Sequence, residues 1–230
     1  MEARSAVAIL LAAGTGRRVG GNDPKAFLAI GDRPILGVAA RAAAAAPSVG
    51  SLIVALPEGW EGRARAVLEP AGTETAFVVG GASRQASVRA ALAAVPEGAA
   101  VVVVHDVARP FASPDLFERV IGAVVDGADG AIPVMPVTDT IVRVRGATIV
   151  GTELREELAV AQTPQAFRPD VLREVHEKAD AAGLTFTDDA TILAWAGFEV
   201  RTIPGEATNG KITSPADLAD ADRRIRAGDG

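Results

Sequence analysis

Gly14 and Gly16, with cations close behind them, raise the first chemical question. Leu11-Ala12-Ala13-Gly14-Thr15-Gly16-Arg17-Arg18 continues an apolar, strand-like run, and Lys25 stands seven residues after Arg18 in Asp23-Pro24-Lys25. Small residues let backbone N–H groups come close to an anion. With Arg and Lys following, the loop offers a polyphosphate both backbone donors and mobile positive charge. Two familiar phosphate loops fail on spacing. A dinucleotide fingerprint needs a third glycine where Val19 stands, with Gly20 one place late. A Walker A loop needs Gly-Lys-Ser/Thr, whereas Lys25 lies between Pro24 and Ala26. A bare glycine-rich turn is also ordinary structure, and the basic residues at this spacing are what give it chemical content.

The elements that must carry this loop are legible as alternating patterns. Apolar, β-rich runs recur at Val7–Leu11, Ser51–Leu56, Ala76–Val79, Val101–Val104, Ala131–Val134 and Phe198–Ile203, with helical patterns between most of them. Such alternation implies a parallel sheet. Val101-Val102-Val103-Val104 is apolar at every position, the pattern of a central strand covered on both faces. Asp106 then falls just beyond that strand, at the carboxyl edge where open α/β sheets bind ligands.

Ser113-Pro114-Asp115 and Ser214-Pro215-Ala216-Asp217 each put a capping hydroxyl before a proline at a first helical position. Helices are also expected from Pro169 to Ala182, closed by Gly183, and from Thr187 to Ala196, closed by Gly197. The run Ala42–Ala46 reads as a helix end. One segment breaks the alternation: Asp139–Val144 and Thr148–Gly151 flank Arg145-Gly146-Ala147, a hairpin turn. On pattern alone it is either a projecting arm or an edge hairpin packed on its own sheet.

Composition narrows the classes. A chain of 230 residues with 49% hydrophobic content can bury one sizeable core, and no repeat or linker marks a second domain, so one domain over 1–230 is expected. The apolar stretch Ala6 to Gly14 falls short of the roughly 20 residues that span a bilayer, and the residues after it do not suit a signal-peptide cleavage site. No membrane partner is expected. Without cysteine there are no disulfides, thiolate metal sites or cysteine nucleophiles, and the cytoplasm is the default compartment. A formal charge of −6 argues against a nucleic-acid surface, so phosphate chemistry must rest on local cations.

Taken in order, the first loop with Pro24-Lys25, Gly80-Gly81-Ala82-Ser83-Arg84-Gln85-Ala86-Ser87-Val88 and His105-Asp106-Val107-Ala108-Arg109-Pro110 resemble the 2-C-methyl-D-erythritol 4-phosphate cytidylyltransferases. Pro136-Val137-Thr138-Asp139-Thr140, Thr163-Pro164-Gln165-Ala166-Phe167, Thr187-Asp188-Asp189-Ala190 and Gly210-Lys211-Ile212-Thr213 continue the match, which covers nearly the whole chain. The resemblance implies an α/β, Rossmann-like nucleotidyltransferase fold: a three-layer sandwich with a mostly parallel central sheet and a protruding β-hairpin arm at about 137–158. It implies CTP as a substrate, Mg²⁺ as cofactor, and a homodimer whose arm reaches into the partner subunit.

In that chemistry a phosphate oxygen attacks the α-phosphorus of CTP and pyrophosphate leaves. The nucleophile is already ionised near neutral pH, so neither His105 nor His176 need be a base. What remains is positioning of anions and stabilisation of charge. The resemblance assigns transition-state contacts to Arg18 and Lys25, which would otherwise read as solvated cations. It assigns nucleotide binding to Ala12, Ala13, Gly14, Thr15, Gly16, Gly81, Ser83 and Ser87. Cytosine is expected to meet backbone groups and small side chains, because the chain has 4% aromatics and no tyrosine.

Asp106 suits a metal-linked or substrate-binding role, since Mg²⁺ favours a carboxylate plus phosphate oxygens and water. Its other reading is a cap for the turn before Arg109. Arg109 would face the acceptor, as would Thr140, Thr163 and Thr187, although Thr187 also suits a helix N-cap. Arg155 is implied to cross the dimer interface. Without the family it is a surface cation among Glu153, Glu156 and Glu157. Lys211 is expected to orient the acceptor phosphate.

Two departures stand out. Ala82 replaces a frequent acidic residue and removes one base or ribose contact. Gly210 replaces a larger apolar residue and loosens the backbone beside Lys211 by about 0.5 to 1 kcal/mol. The competing readings are a ribitol-5-phosphate cytidylyltransferase and a nucleotide-binding regulatory module without catalysis.

Overall fold

The apolar runs become strands of one sheet in the structure, a computed structural model that describes residues 6–14, 23–69 and 72–228. In chain order the elements are β1 (Ala6–Leu11), β2 (Ala29–Ile30), β3 (Arg33–Pro34), α1 (Ile35–Ala45), β4 (Val49–Leu56), α2 (Glu61–Leu68), β5 (Glu74–Val79), α3 (Arg84–Leu92), β6 (Val101–Asp106) and α4 (Pro114–Val125). There follow β7 (Gly130–Pro136), β8 (Val142–Arg145), β9 (Thr148–Thr152), β10 (Ala159–Ala161), β11 (Gln165–Phe167), α5 (Pro169–Ala181), α6 (Asp189–Trp195), β12 (Val200–Pro204) and α7 (Pro215–Arg226).

The main sheet has eight strands in the order β10-β7-β11-β6-β1-β4-β5, with β12 beside β7. β6, β1, β4 and β5 pair in parallel, as do β7 and β12, while β10 and β11 run antiparallel to their neighbours. Val101 to Val104 are all buried because the strand is covered twice. Val101 and Val103 pack with α1 and α4, whereas Val102 and Val104 pack with α3, α5 and α6. The three layers expected from alternation are therefore present.

The caps mostly follow the sequence. Ser113 and Ser214 accept from Leu116 and Asp217 N–H groups at the starts of α4 and α7. Gly183 closes α5 with φ +63°. One expectation is corrected: α6 begins at Asp189, and its cap is Asp188, whose carboxylate accepts from Thr191, rather than Thr187. A carboxylate is the stronger acceptor for the orphan N–H groups there.

The hairpin of β8 and β9 forms its own two-stranded sheet, separate from the main one, with Val142 opposite Thr152 and Arg145 opposite Thr148. Of the two readings open on pattern, the hairpin is not packed on the main sheet.

Asp217 does more than complete a capping box. Its carboxylate accepts from Thr213 N–H at 2.7 Å, Thr213 hydroxyl at 2.7 Å and Ser214 N–H at 2.9 Å, which fastens α7 to the segment bearing Lys211. These bonds, from Thr213 first, hold the carboxyl down to about 2. A depressed folded-state value contributes stability above the ordinary carboxyl range of about 4, and that contribution is lost as pH falls towards 2. In urea melts at successive pH values, Asp217→Asn is expected to be less stable than wild type at pH 7. The gap should close by pH 2, whereas a gap constant with pH would contradict this assignment.

Candidate active site

Ends of strands and the turns after them converge on one cavity of about 470 Å³. β1 ends in Leu11 and hands over Ala12, Ala13 and Gly14; β5 hands over Gly81, Ala82 and Ser83; β6 ends in Asp106; Lys25 and Lys211 close the far sides. Its position at the carboxyl edge of parallel strands is where α/β sheets bind ligands.

Small residues line the cavity because backbones approach closely there. Gly80 N–H donates to Leu56 carbonyl at 2.7 Å, and a Cβ on Gly80 would strike the Ala13 methyl. A Cβ on Gly81 would strike the Ala86 methyl and lie 3.0 Å from its carbonyl carbon. The two serines shape this turn. Ser83 hydroxyl accepts from Ala86 N–H at 3.0 Å as the cap of α3. Ser87 hydroxyl accepts from Gly81 N–H at 3.1 Å and donates to Ser83 carbonyl at 2.9 Å. Both side chains border the cavity; Ser87 uses its hydroxyl as donor and acceptor within the wall, whereas Ser83 uses its own only as an acceptor.

Asp106 is the carboxylate of the cavity. Its Oδ1 accepts from Arg84 Nε at 3.2 Å and its Oδ2 from Lys211 Nζ at 2.5 Å. Burial opposes its charge, yet Arg84 first and then Lys211 outweigh that and hold the carboxyl well below the usual range. Lys25 Nζ donates to Ile212 carbonyl at 2.8 Å, and Ile212 N–H donates to Ala108 carbonyl at 2.8 Å. The two lysines are thus tied to one short segment.

Behind Asp106 the neighbours are structural. Thr163, 5% exposed, accepts from Asp106 N–H at 3.0 Å and lies 3.0 Å from His105 Nδ1. The Arg109 carbonyl can only accept, so Nε2 carries the proton that meets it at 3.1 Å, and Nδ1 of the neutral ring accepts from the Thr163 hydroxyl. Complete burial keeps this imidazole neutral by lowering it to about 4. Arg109 donates to Asn209 and Ala161 carbonyls at 2.9 and 3.1 Å, so it ties the segment before α7 to the end of β10.

A scan of family models matches residues 6–227 to "IspD: 2-C-methyl-D-erythritol 4-phosphate cytidylyltransferase". The proteins of that name from Corynebacterium efficiens and Deinococcus radiodurans are 39% and 42% identical, over 94% and 92% of this chain and 92% and 86% of theirs. The chain belongs to this family. The solved structure of the Thermus thermophilus 2-C-methyl-D-erythritol 4-phosphate cytidylyltransferase is 38% identical, covers 95% of this chain and 98% of its own, and superposes with a TM-score of 0.79. Bifunctional IspD/IspF enzymes are also similar. That of Nitratidesulfovibrio vulgaris strain DP4 is 41% identical over 92% of this chain, which spans 56% of its length.

Against the family pattern, Ala12, Ala13, Gly14, Lys25, Gly81, Ser83, Ser87, Asp106 and Lys211 surround the cavity together. Thr163 and Arg109 are outside the cavity lining, and their side-chain bonds run to Asp106 N–H and to the Asn209 and Ala161 carbonyls. Thr187 is exposed just before α6 and does not line the cavity. Thr140 and Arg155 lie just before and just after the hairpin, outside the cavity lining; Arg155 donates to Thr138 carbonyl at 3.1 Å and Glu156 at 3.3 Å. Thr15, Gly16 and Arg18 lie outside the described residues.

Sequence reasoning passed over Arg84 and Asp189. Arg84 lines the cavity and bridges Asp106 to the fully buried Asp189, whose Oδ2 lies 2.6 Å from Arg84 Nη1. The available signal was a cation directly after the Ser83 cap, together with the second aspartate of Thr187-Asp188-Asp189.

Gly81→Ala is expected to push the turn off α3 and weaken CTP binding at least about tenfold by calorimetry. Gly122→Ala serves as the control, since nothing lies within 4 Å of its Cβ position. It sits inside α4 and should leave binding unchanged while stabilising by about 0.5 to 1 kcal/mol. Equal CTP affinity in both variants would contradict the role given to the Gly81 turn.

Proposed function

We propose that the chain transfers the cytidylyl group of CTP to 2-C-methyl-D-erythritol 4-phosphate, giving 4-diphosphocytidyl-2-C-methyl-D-erythritol and pyrophosphate. The observation that carries this reading is the cavity itself: Lys25, Lys211 and a pinned Asp106 around a glycine-rich edge, in a chain of this family. An acceptor phosphate oxygen forms the new bond to the α-phosphorus as the bond to the bridging oxygen breaks, and that electron pair leaves on pyrophosphate. The acceptor oxygen is ionised already, so no base is needed. His105, neutral and engaged by Thr163 and Arg109, fits that requirement by staying out of the chemistry.

The residues then divide by position. Gly14 and the Gly81 turn receive the nucleotide, with backbone groups reading the base. Lys25, with Arg18, offsets charge that builds around phosphorus. Lys211 orients the acceptor phosphate, and Asp106 orients Lys211.

Asp106 is the only carboxylate among the residues lining the cavity, and a carboxylate has lone pairs beyond the two used by Arg84 and Lys211. That donor set fits Mg²⁺, which takes one or two carboxylates alongside substrate phosphates and water. Asp106 would be the residue that holds Mg²⁺ there, and the ion would supply neutralisation of triphosphate charge.

The chain works as one domain with its hairpin arm, in the cytoplasm where CTP is made. What supports a homodimer is the arm: Val144, Ile149 and Leu154 are 63%, 65% and 66% exposed, apolar side chains that a second copy would cover. A partner's arm would bring Arg155 and Thr140 to this cavity. No helix among the described residues is long and apolar enough to cross a membrane.

Pyrophosphate release with CTP and Mg²⁺ tests the reading. Turnover is expected with methylerythritol phosphate, and turnover confined to ribitol 5-phosphate would overturn the acceptor assignment. Lys25→Ala should lower kcat at least about 100-fold with its melting curve little changed. A near-normal rate would remove Lys25 from the mechanism. In sedimentation, Ile149→Asp combined with Leu154→Asp should turn a dimer into a monomer and abolish transfer. A fully active monomer would exclude Arg155 from the partner's site.

A further inference from the structure

Beyond the cavity wall, a line of hydrogen-bonded side chains runs from the inside of the molecule to the acceptor end of the site. His176, on the buried face of α5, places Nε2 at 2.9 Å from Asp189 Oδ1. Asp189 Oδ2 accepts from Arg84 Nη1 at 2.6 Å, Arg84 Nε meets Asp106 Oδ1 at 3.2 Å, and Asp106 Oδ2 holds Lys211 Nζ at 2.5 Å. His176 and Asp189 are 1% and 0% exposed, and neither lines the cavity.

We infer that Asp189, oriented by His176, is a positioning residue for the acceptor half of the reaction: through Arg84 it fixes the carboxylate of Asp106 and hence the place of Lys211. The inference rests on the function proposed above.

The physical case begins with cost. A carboxylate as deeply buried as Asp189 survives only if paired, and apolar residues of similar volume often stabilise a core as well as a buried ion pair. A buried pair whose far end reaches a ligand cavity has a geometric task to account for its presence. Asp106, for its part, turns broadly about its carboxyl torsion, so one lysine alone would leave it free to swing. Arg84 removes that freedom because its planar guanidinium presents Nε and Nη1 in a fixed fork, one nitrogen to each aspartate. Asp189 in turn sets the plane of the fork, with its second oxygen occupied by His176. Lys211 is consequently held from a fixed carboxylate, with its side chain 40% exposed towards the cavity.

Steady-state kinetics on the full-length enzyme test this, with CTP and acceptor varied separately and melting curves recorded for each variant. Asp189→Asn keeps the shape and loses the charge. It should raise the acceptor KM at least about tenfold and CTP KM several-fold less, because Lys211 meets the acceptor whereas Asp106 meets the triphosphate only through Mg²⁺. Arg84→Lys keeps a cation but cannot reach both carboxylates as a fork, so it should show the same split. It carries the test if Asp189→Asn does not fold. The double variant should be no worse than the weaker single one, because both changes break one line. His176→Gln, which retains a donor, should recover activity that His176→Leu loses.

The inference is overturned if losses multiply in the double variant, if both KM values rise equally, or if a folded variant keeps the wild-type acceptor KM. Wild-type enzyme without transfer activity would overturn the functional reading and this inference together. An active wild type with unaffected variants overturns the positioning role alone.

Discussion

A carboxylate that stays ionised with little access to water needs cations at hydrogen-bond distance, and the rest of the site is arranged around that need of Asp106. Its place is set by the central strand, whose last residue it is. Its two oxygens draw in Arg84 from the start of α3 and Lys211 from the segment before α7, elements far apart in the chain. Positive charge is thereby gathered at one edge of an otherwise acidic protein. Lys25 joins it through Ile212, so the cation following the first loop and the cation before the last helix share one short stretch of backbone.

Around this electrostatic centre the walls are built from absence of side chain. Gly80 and Gly81 allow the turn after β5 to lie against Ala13 and α3, and the hydroxyls of Ser83 and Ser87 hold it there. A ligand in the cavity therefore meets backbone and small side chains, the kind of surface expected to read a base without aromatic rings. The hairpin lies outside this cavity and carries Arg155 just beyond its second strand. In the proposed homodimer, a second copy of the chain would complete the acceptor half of the site.

What the sequence disclosed follows the range of the interactions involved. Val101 to Val104 and the caps at Ser113 and Ser214 depend on neighbours within a few residues, and all three were legible. β10 and β11 were not, because each has three residues, too few for a period to show. Arg84 stayed hidden because its partners lie 22 and 105 residues away. Ser87 and Thr163 carry the right atoms for ligand contact, yet the Ser87 hydroxyl is claimed within its own turn and that of Thr163 by Asp106 and His105, 57 and 58 residues away, a competition that residue type cannot resolve. Thr187 lost the helix cap to the neighbouring Asp188.

The central claim is that cations gathered by Asp106 and Ile212 surround the phosphates of both substrates. A crystal structure of the complex with Mg²⁺, a non-hydrolysable CTP analogue and the acceptor phosphate measures this directly. The account predicts triphosphate lying over Gly14, with Lys25 and Lys211 Nζ each about 3 Å from a phosphate oxygen. Triphosphate bound away from this edge, or both lysines turned from the phosphates, would contradict it.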